Sequence, residues 1–147
     1  YHLERQSLDE TLPVLLLKCQ ARQWRSMVLR SSKEKVAALS ELLWRFGENG
    51  FLAHACADDE KMQDYAADQP IWLTSYDDCP NAAHVLFLLD GTEVEDISAY
   101  TRVVYLFDGR NEESLEKSRR FWKRLKQKDV DLSYWQQSAQ GGWEQKA

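Results

Sequence analysis

Seven cationic side chains are concentrated in residues 111–128 of a chain whose formal net charge is -5. They are Lys117, Arg119, Arg120, Lys123, Arg124, Lys126 and Lys128, and they follow the glutamates Glu112, Glu113 and Glu116. Carboxylates near the start of a helix and cations near its end complement the helix dipole, so this order predicts a helix with Asn111 as its N-cap. The helix could bind an acidic ligand. It could equally be a solvated face, in which Glu113 pairs with Lys117 and Glu116 with Arg120.

A strip of side chains at helical spacing is expected to face inward from this basic helix. Its members are Leu115, Ser118, Trp122 and Leu125, and a cationic stripe of Arg119, Lys123 and Lys126 lies beside it. Phe107 comes shortly before the helix, at the end of a predicted strand, and ligands of open α/β sheets meet the carboxyl ends of strands. An apolar notch beside cations suits an acidic peptide that ends in a hydrophobic side chain. The cations would orient the peptide and the aromatic rings would anchor it.

Residues for catalysis or for metal binding are few and scattered. The histidines and cysteines are His2, His54, His84, Cys19, Cys56 and Cys79, and none has a partner at catalytic or metal-ligand spacing. Neither the dinucleotide-binding glycine fingerprint nor the P-loop pattern occurs. The acidic runs at residues 58–60 and 77–78 could hold a divalent cation, although such loops are usually just solvated. We therefore expect no catalytic residue, no metal and no cofactor.

The composition is typical of one folded domain and disfavours direct binding to nucleic-acid phosphate. A chain of 147 residues, 44% of them hydrophobic, is long enough to bury a core, and the net negative charge opposes phosphate. The apolar run at residues 12–17 is too short to span a bilayer, and the chain opens without a signal-peptide pattern. The three cysteines are widely separated in the sequence, which is consistent with reduced thiols. We expect a cytoplasmic protein without membrane contact.

Strands and helices alternate along the chain, which predicts a βαβ arrangement. Strands are predicted at residues 1–3, 26–30, 70–74, 84–89, 101–107 and 130–135, and helices at residues 8–24, from the Ser31-Ser32 cap to Gly47, and at residues 111–128. Residues 53–69 are expected to form a loop across the sheet edge, and residues 94–100 a connector with at most one helical turn. The whole chain, residues 1–147, is predicted to be a single-domain Rossmann-like α/β fold. Its three layers are a mostly parallel sheet with helices on both faces, closed by a C-terminal hairpin at about residues 130–146.

The first helix contains a local conflict. Ser7 and Glu10 form a capping-box pattern that starts the helix near residue 8. Pro13 then lies beyond the first turn, where its ring would kink the helix or move its start.

Several segments together resemble a known family. They are Tyr1-His2-Leu3, Leu42-Leu43-Trp44, Phe51-Leu52-Ala53-His54, residues 69–74, Pro80-Asn81, residues 103–109, the basic helix and residues 134–137. In this order they resemble the chi subunit of bacterial DNA polymerase III, and most of all its alphaproteobacterial form, over essentially the whole chain. The resemblance implies a non-enzymatic adaptor that binds the acidic, Phe-ended C-terminal tail of single-stranded DNA-binding protein. It also implies attachment to the clamp loader through psi or an equivalent subunit, so that single-stranded DNA is contacted only indirectly.

The resemblance also implies which residues bind the tail. They are Trp44, Phe51, Phe107, Arg119, Trp122 and Lys123, with Lys117 and Arg120 as additional steering charges. Trp122 stands where the family has a Tyr, which keeps an aromatic wall. A Lys that the family has one turn before Arg119 falls near Leu115 or Glu116 here, so part of the cationic set is displaced to Lys117 or Arg120.

Two other classes of function stay open at this stage. One is direct binding of single-stranded nucleic acid, with the basic helix for the phosphates and with Trp122 and Trp135 as stacking surfaces. The other is a nucleotide-using enzyme on the Rossmann-like scaffold, because the fold alone does not decide the function.

Overall fold

The structure is a computed structural model, and it describes residues 1–3, 7–46, 52–128, 130–138 and 142–146. In chain order the elements are β1 His2–Leu3, α1 Leu8–Ala21, β2 Ser26–Leu29, α2 Lys33–Arg45, β3 Ala55–Cys56, a 3₁₀ helix Glu60–Asp68, β4 Ile71–Thr74, β5 Val85–Leu88, β6 Arg102–Tyr105, β7 Phe107–Asp108, α3 Glu112–Lys126, β8 Trp135–Gln137 and β9 Trp143–Gln145. Gly47, Phe51 and Gly141, on which predictions were made, lie outside the described residues.

One segment of the chain joins two sheets. The five-stranded sheet has the order β3-β4-β2-β5-β6 and the four-stranded sheet has the order β7-β1-β8-β9. Only Leu106 separates β6 from β7: its N–H donates to Leu88 O at 3.1 Å, and the next N–H, of Phe107, donates to Tyr1 O at 3.2 Å. The strand predicted at residues 101–107 is therefore divided, because its two halves pair with different neighbours.

The pairings make the structure mostly parallel, as predicted. Strands β2, β4, β5 and β6 pair in parallel, and β1 pairs in parallel with both β7 and β8. The antiparallel exception is the hairpin of β8 and β9, in which Trp135 lies opposite Gln145 and Gln137 lies opposite Trp143.

Side chains of the central strands alternate between two buried clusters, one on each face of the sheet. Val28 and Phe87 pack with α1 and α2 on one face, whereas Met27 and Leu86 pack with α3 on the other. This alternation follows from the period of a strand. The three-layer α/β arrangement is confirmed, with α2 and α3 on opposite faces of the sheet.

Two predicted segments differ from the structure. Residues 53–69, expected to be a loop, form the edge strand β3 and the 3₁₀ helix. The last strand, predicted at residues 130–135, is wrong in its position, because β8 spans Trp135–Gln137. The connector at residues 94–100, for which at most one helical turn was predicted, contains no helix and closes a single turn, in which Tyr100 N–H donates to Ile97 O at 3.2 Å.

The helix α1 keeps its predicted start despite Pro13. The Ser7 hydroxyl accepts a hydrogen bond from Glu10 N at 3.3 Å, and the helix continues through Pro13 to Ala21. Pro13 is buried on the inner side of the helix, where its apolar ring adds to the core although it cannot donate a backbone hydrogen bond.

Candidate partner-binding site

The helix α3 forms as its charge order predicts. Asn111 Oδ1 accepts from Ser114 N at 3.1 Å and caps the first turn, which is acidic, while the last turn is basic. Phe121 and Leu125 anchor the helix to the sheet, and the ring of Phe121 stacks on Tyr105 of β6 with ring centroids 4.8 Å apart.

The inward-facing strip is shifted from the predicted one. Of the four residues named, Leu125 is buried, whereas Leu115, Ser118 and Trp122 are only half-buried. Phe121, which was not named, is 5% exposed. The three half-buried side chains line a groove beside the helix instead of filling the core.

This groove, of about 1530 Å³, lies between α3, the strands β6 and β7, and residues 130–136. Arg119, Trp122 and Lys123 line it from α3, and Phe107 lines it from β7. The groove therefore lies beside the carboxyl end of the parallel strand that precedes α3, as expected for a ligand site in an α/β fold.

Aromatic rings form a connected wall along the groove. Trp122 meets Tyr134 edge to face with centroids 6.1 Å apart, and the ring of His2 lies 4.9 Å from that of Phe107. His2 Nδ1 and the Tyr134 hydroxyl share a hydrogen bond, which ties the two pairs together. His2 and Tyr134 were not among the residues predicted for the site, because only the parallel pairing of β1 with β7 and β8 brings them there.

The cations of α3 fall into two groups. Three are held by carboxylates: Lys117 by Glu113 at 3.4 Å, Arg120 by Glu116 at 3.7 Å and Arg124 by Glu93 at 2.8 Å. Among the described residues, no carboxylate lies within 4.0 Å of Arg119, Lys123, Lys126 or Lys128. Lys126 Nζ instead lies 5.6 Å from the centre of the Trp122 ring.

One carboxylate close to the groove is neutralised by its own neighbour. Asp108, in β7, accepts from Arg110 Nε at 3.0 Å. This hydrogen bond, with the Arg110 N–H and charge, holds the pKa of Asp108 below its usual value. The strand end therefore presents an ion pair, and the repulsion that a lone carboxylate would exert on an acidic ligand is reduced.

The structure brings together four of the residues assigned from the resemblance, namely Phe107, Arg119, Trp122 and Lys123. Trp44 is not one of them. It lies on α2, is 55% exposed, and its ring is 4.3 Å from His54, on the face of the sheet opposite α3.

The two predicted steering charges, Lys117 and Arg120, do not line the groove. Lys117 and Arg120 form ion pairs with glutamates of the same helix. The Lys117 side chain also packs near Gly91: a Cβ atom added at Gly91 would lie 3.0 Å from Lys117 Cδ. Phe51 lies outside the described residues.

An ion pair lies at the strand ends where α/β folds often hold nucleotides. The chain leaves β2 toward β4 on one side and leaves β5 toward β6 on the other, so the carboxyl ends of β2 and β5 form a topological switch point. There Arg30 donates from Nε and Nη2 to the two Asp90 oxygens at 2.9 and 2.8 Å. In the described part of the chain, no group of three or more His, Cys, Asp or Glu side chains could hold a metal ion.

No helix among the described residues is both long and apolar enough to cross a membrane.

The fold and the groove together define a Rossmann-like α/β protein with an aromatic, cation-edged surface suited to an acidic partner.

The chain belongs to the DNA polymerase III chi subunit family. The family described as "DNA polymerase III chi subunit, HolC" matches residues 1–133. A similar protein is the "Probable DNA polymerase III subunit chi" of Rickettsia prowazekii (strain Madrid E), 24% identical over 115 residues, which cover 74% of this chain and 67% of that protein. The family expected from the sequence is confirmed, and it is a family of replication accessory subunits.

Proposed function

We propose that this protein is a non-catalytic adaptor of the DNA polymerase III clamp loader. Its groove binds the acidic C-terminal tail of single-stranded DNA-binding protein and so links the replicase to coated single-stranded DNA. Attachment to the clamp loader is through psi or an equivalent subunit.

One observation carries this proposal: Arg119 and Lys123 have no carboxylate partner among the described residues, and they flank Trp122 in the same groove. Unpaired cations attract and orient an acidic peptide, and a half-buried aromatic ring beside them offers an apolar contact for a terminal Phe. Because both cations are exposed, the attraction should weaken as salt is added.

The ion pair at the carboxyl ends of β2 and β5 supports the non-catalytic part of the proposal. A largely buried, bidentate ion pair lies where a nucleotide or substrate would meet the strand ends. A ligand that entered there would have to break it.

The test is the fluorescence anisotropy of a labelled short acidic peptide that ends in Phe, titrated with the protein at low and moderate salt. Arg119→Ala combined with Lys123→Ala is expected to weaken binding about tenfold, from roughly 0.7 kcal/mol for each exposed charge contact. The matched control is Lys117→Ala combined with Arg120→Ala, which removes the same charge from cations that are already paired. The control should change the affinity by less than about threefold.

Unchanged binding in the Arg119/Lys123 double variant would rule out this groove as the tail site. Equal losses in both double variants would mean that only the net charge of the helix matters. Titration of a labelled single-stranded oligonucleotide distinguishes the adaptor role from direct nucleic-acid binding. Tight binding to the oligonucleotide, without any partner protein, would favour direct nucleic-acid binding.

A further inference from the structure

An acidic loop between β5 and β6 lies against the C-terminal half of α3. Val94, in this loop, is buried in the same cluster as Leu125. Arg124 Nη1 donates to Glu93 Oε2 at 2.8 Å. An apolar contact and an ion pair thus hold the loop, which comprises residues 92–98, on the helix.

The next two residues of the acidic loop carry their charges into the groove. Glu95 and Asp96 are exposed and line the groove. The hydroxyl and the backbone N–H of Ser98 donate to Asp96 and, with the more distant charge of Lys128, hold the pKa of Asp96 below its usual value. Asp96 is therefore an anion at neutral pH.

The groove is consequently asymmetric in charge along its length. Near the end of α3, the cations Lys126 and Lys128 share the groove with Glu95 and Asp96, and Asp131, which follows the helix, adds a third carboxylate there. Lys123 lies about one turn and Arg119 about two turns before Lys126 along α3, and they are therefore further from the acidic loop, which is held at Arg124 and Leu125. An anionic ligand is attracted by the half of the groove beside Arg119 and Lys123. At the half near the end of α3 it meets the like charge of the carboxylates.

We propose that the acidic loop is the specificity element of the groove. It confines the acidic side chains of a bound peptide to the half beside Arg119 and Lys123, so the groove favours a short acidic run next to the terminal Phe. Further acidic residues upstream would meet Glu95 and Asp96, and this repulsion also fixes the direction of the peptide. This inference rests on the proposed function, because it concerns how the same groove selects its peptide.

The test compares two labelled peptides that share a terminal acidic run and Phe. One is preceded by neutral residues and the other by further Asp and Glu. Glu95→Gln combined with Asp96→Asn should increase the affinity for the longer acidic run about fivefold, and the affinity for the shorter run less than twofold. Glu93 and Val94 are left in place, so the loop stays anchored.

Asp64→Asn combined with Asp68→Asn is the matched control, since it removes two exposed carboxylates from the 3₁₀ helix. Both peptides should bind this control as they bind the unmodified protein. Equal gains for both peptides with the loop variant, or no gain, would overturn the proposed role of the loop while leaving the tail site intact. Failure of the unmodified protein to bind either peptide would overturn the proposed function and this inference together.

Discussion

Replacing Asp90 by Asn is expected to lower the free energy of unfolding by about 3 kcal/mol near pH 7, as for other buried ion pairs that lose one partner. The side chains of Arg30 and Asp90 are each 11% exposed, so the remaining guanidinium would be a largely buried cation. Asp90 has φ 60°, a left-handed conformation that Asn tolerates well. The substitution therefore removes the charge and one acceptor without straining the backbone.

The loss should depend on pH in a definite direction. Burial by itself would raise the pKa of Asp90, but the hydrogen bond and charge of Arg30 outweigh it, helped by Ser31 N–H and Lys35, so the pKa lies below its usual value. A carboxyl group whose pKa falls on folding adds stability that is complete above its unfolded pKa and is lost as pH falls through its folded pKa. The difference between the two proteins should shrink as the pH drops below about 4.

Urea denaturation followed by tryptophan fluorescence measures this difference, with the denaturant slope checked for two-state behaviour. Glu41→Gln is the control, because Glu41 pairs with Arg45 at 3.8 Å on the surface and both side chains are more than three-quarters exposed. Its removal should change little. Equal stability of the Asp90 variant and the unmodified protein at pH 7, or a difference that does not vary with pH, would refute the role given to the ion pair.

Three further substitutions test the packing and the placement of the site. Gly109→Ala should destabilise the fold by about 1–3 kcal/mol, seen as a lower Tm, because its Cβ would lie 1.5 Å from His2 Nε2; an unchanged Tm would contradict this packing. Phe121→Ala should cost about 3–4 kcal/mol in urea denaturation, since the ring is 5% exposed and stacks on Tyr105; a loss below 1 kcal/mol would show that Phe121 is not a core anchor. Trp44→Ala should leave the affinity for the acidic peptide within twofold of the unmodified value, and a tenfold loss would place the site on α2.

Much of the fold was predictable from local patterns. The helix α3 begins at its N-cap and keeps its charge order because both are local properties. The buried strands were found because runs such as residues 85–88 are apolar without interruption, as in sheets covered on both faces. The prediction of strand boundaries was wrong where they depend on a contact with a residue far away in the sequence. The division at Leu106 depends on the arrival of β1, which no local pattern of residues 101–107 reveals.

The site was predictable only in part. A 3.6-residue repeat leaves Phe121 and Trp122 as neighbours on the helix, and only the position of Tyr105 shows that Phe121 points to the core. Separating Trp44 from the groove requires the strand order, which places α2 and α3 on opposite faces. The contrast between paired and unpaired cations likewise depends on Glu93, which reaches Arg124 from another part of the chain.

The most direct measurement is an isotope-filtered NMR experiment that detects contacts between the protein and the terminal Phe ring of a bound acidic peptide. The proposed function predicts nuclear Overhauser effects from that ring to the side chains of Trp122 and Phe107, which line the groove. Contacts to Trp44 without any to Trp122 would contradict it, because the peptide would then lie on α2, across the sheet from α3.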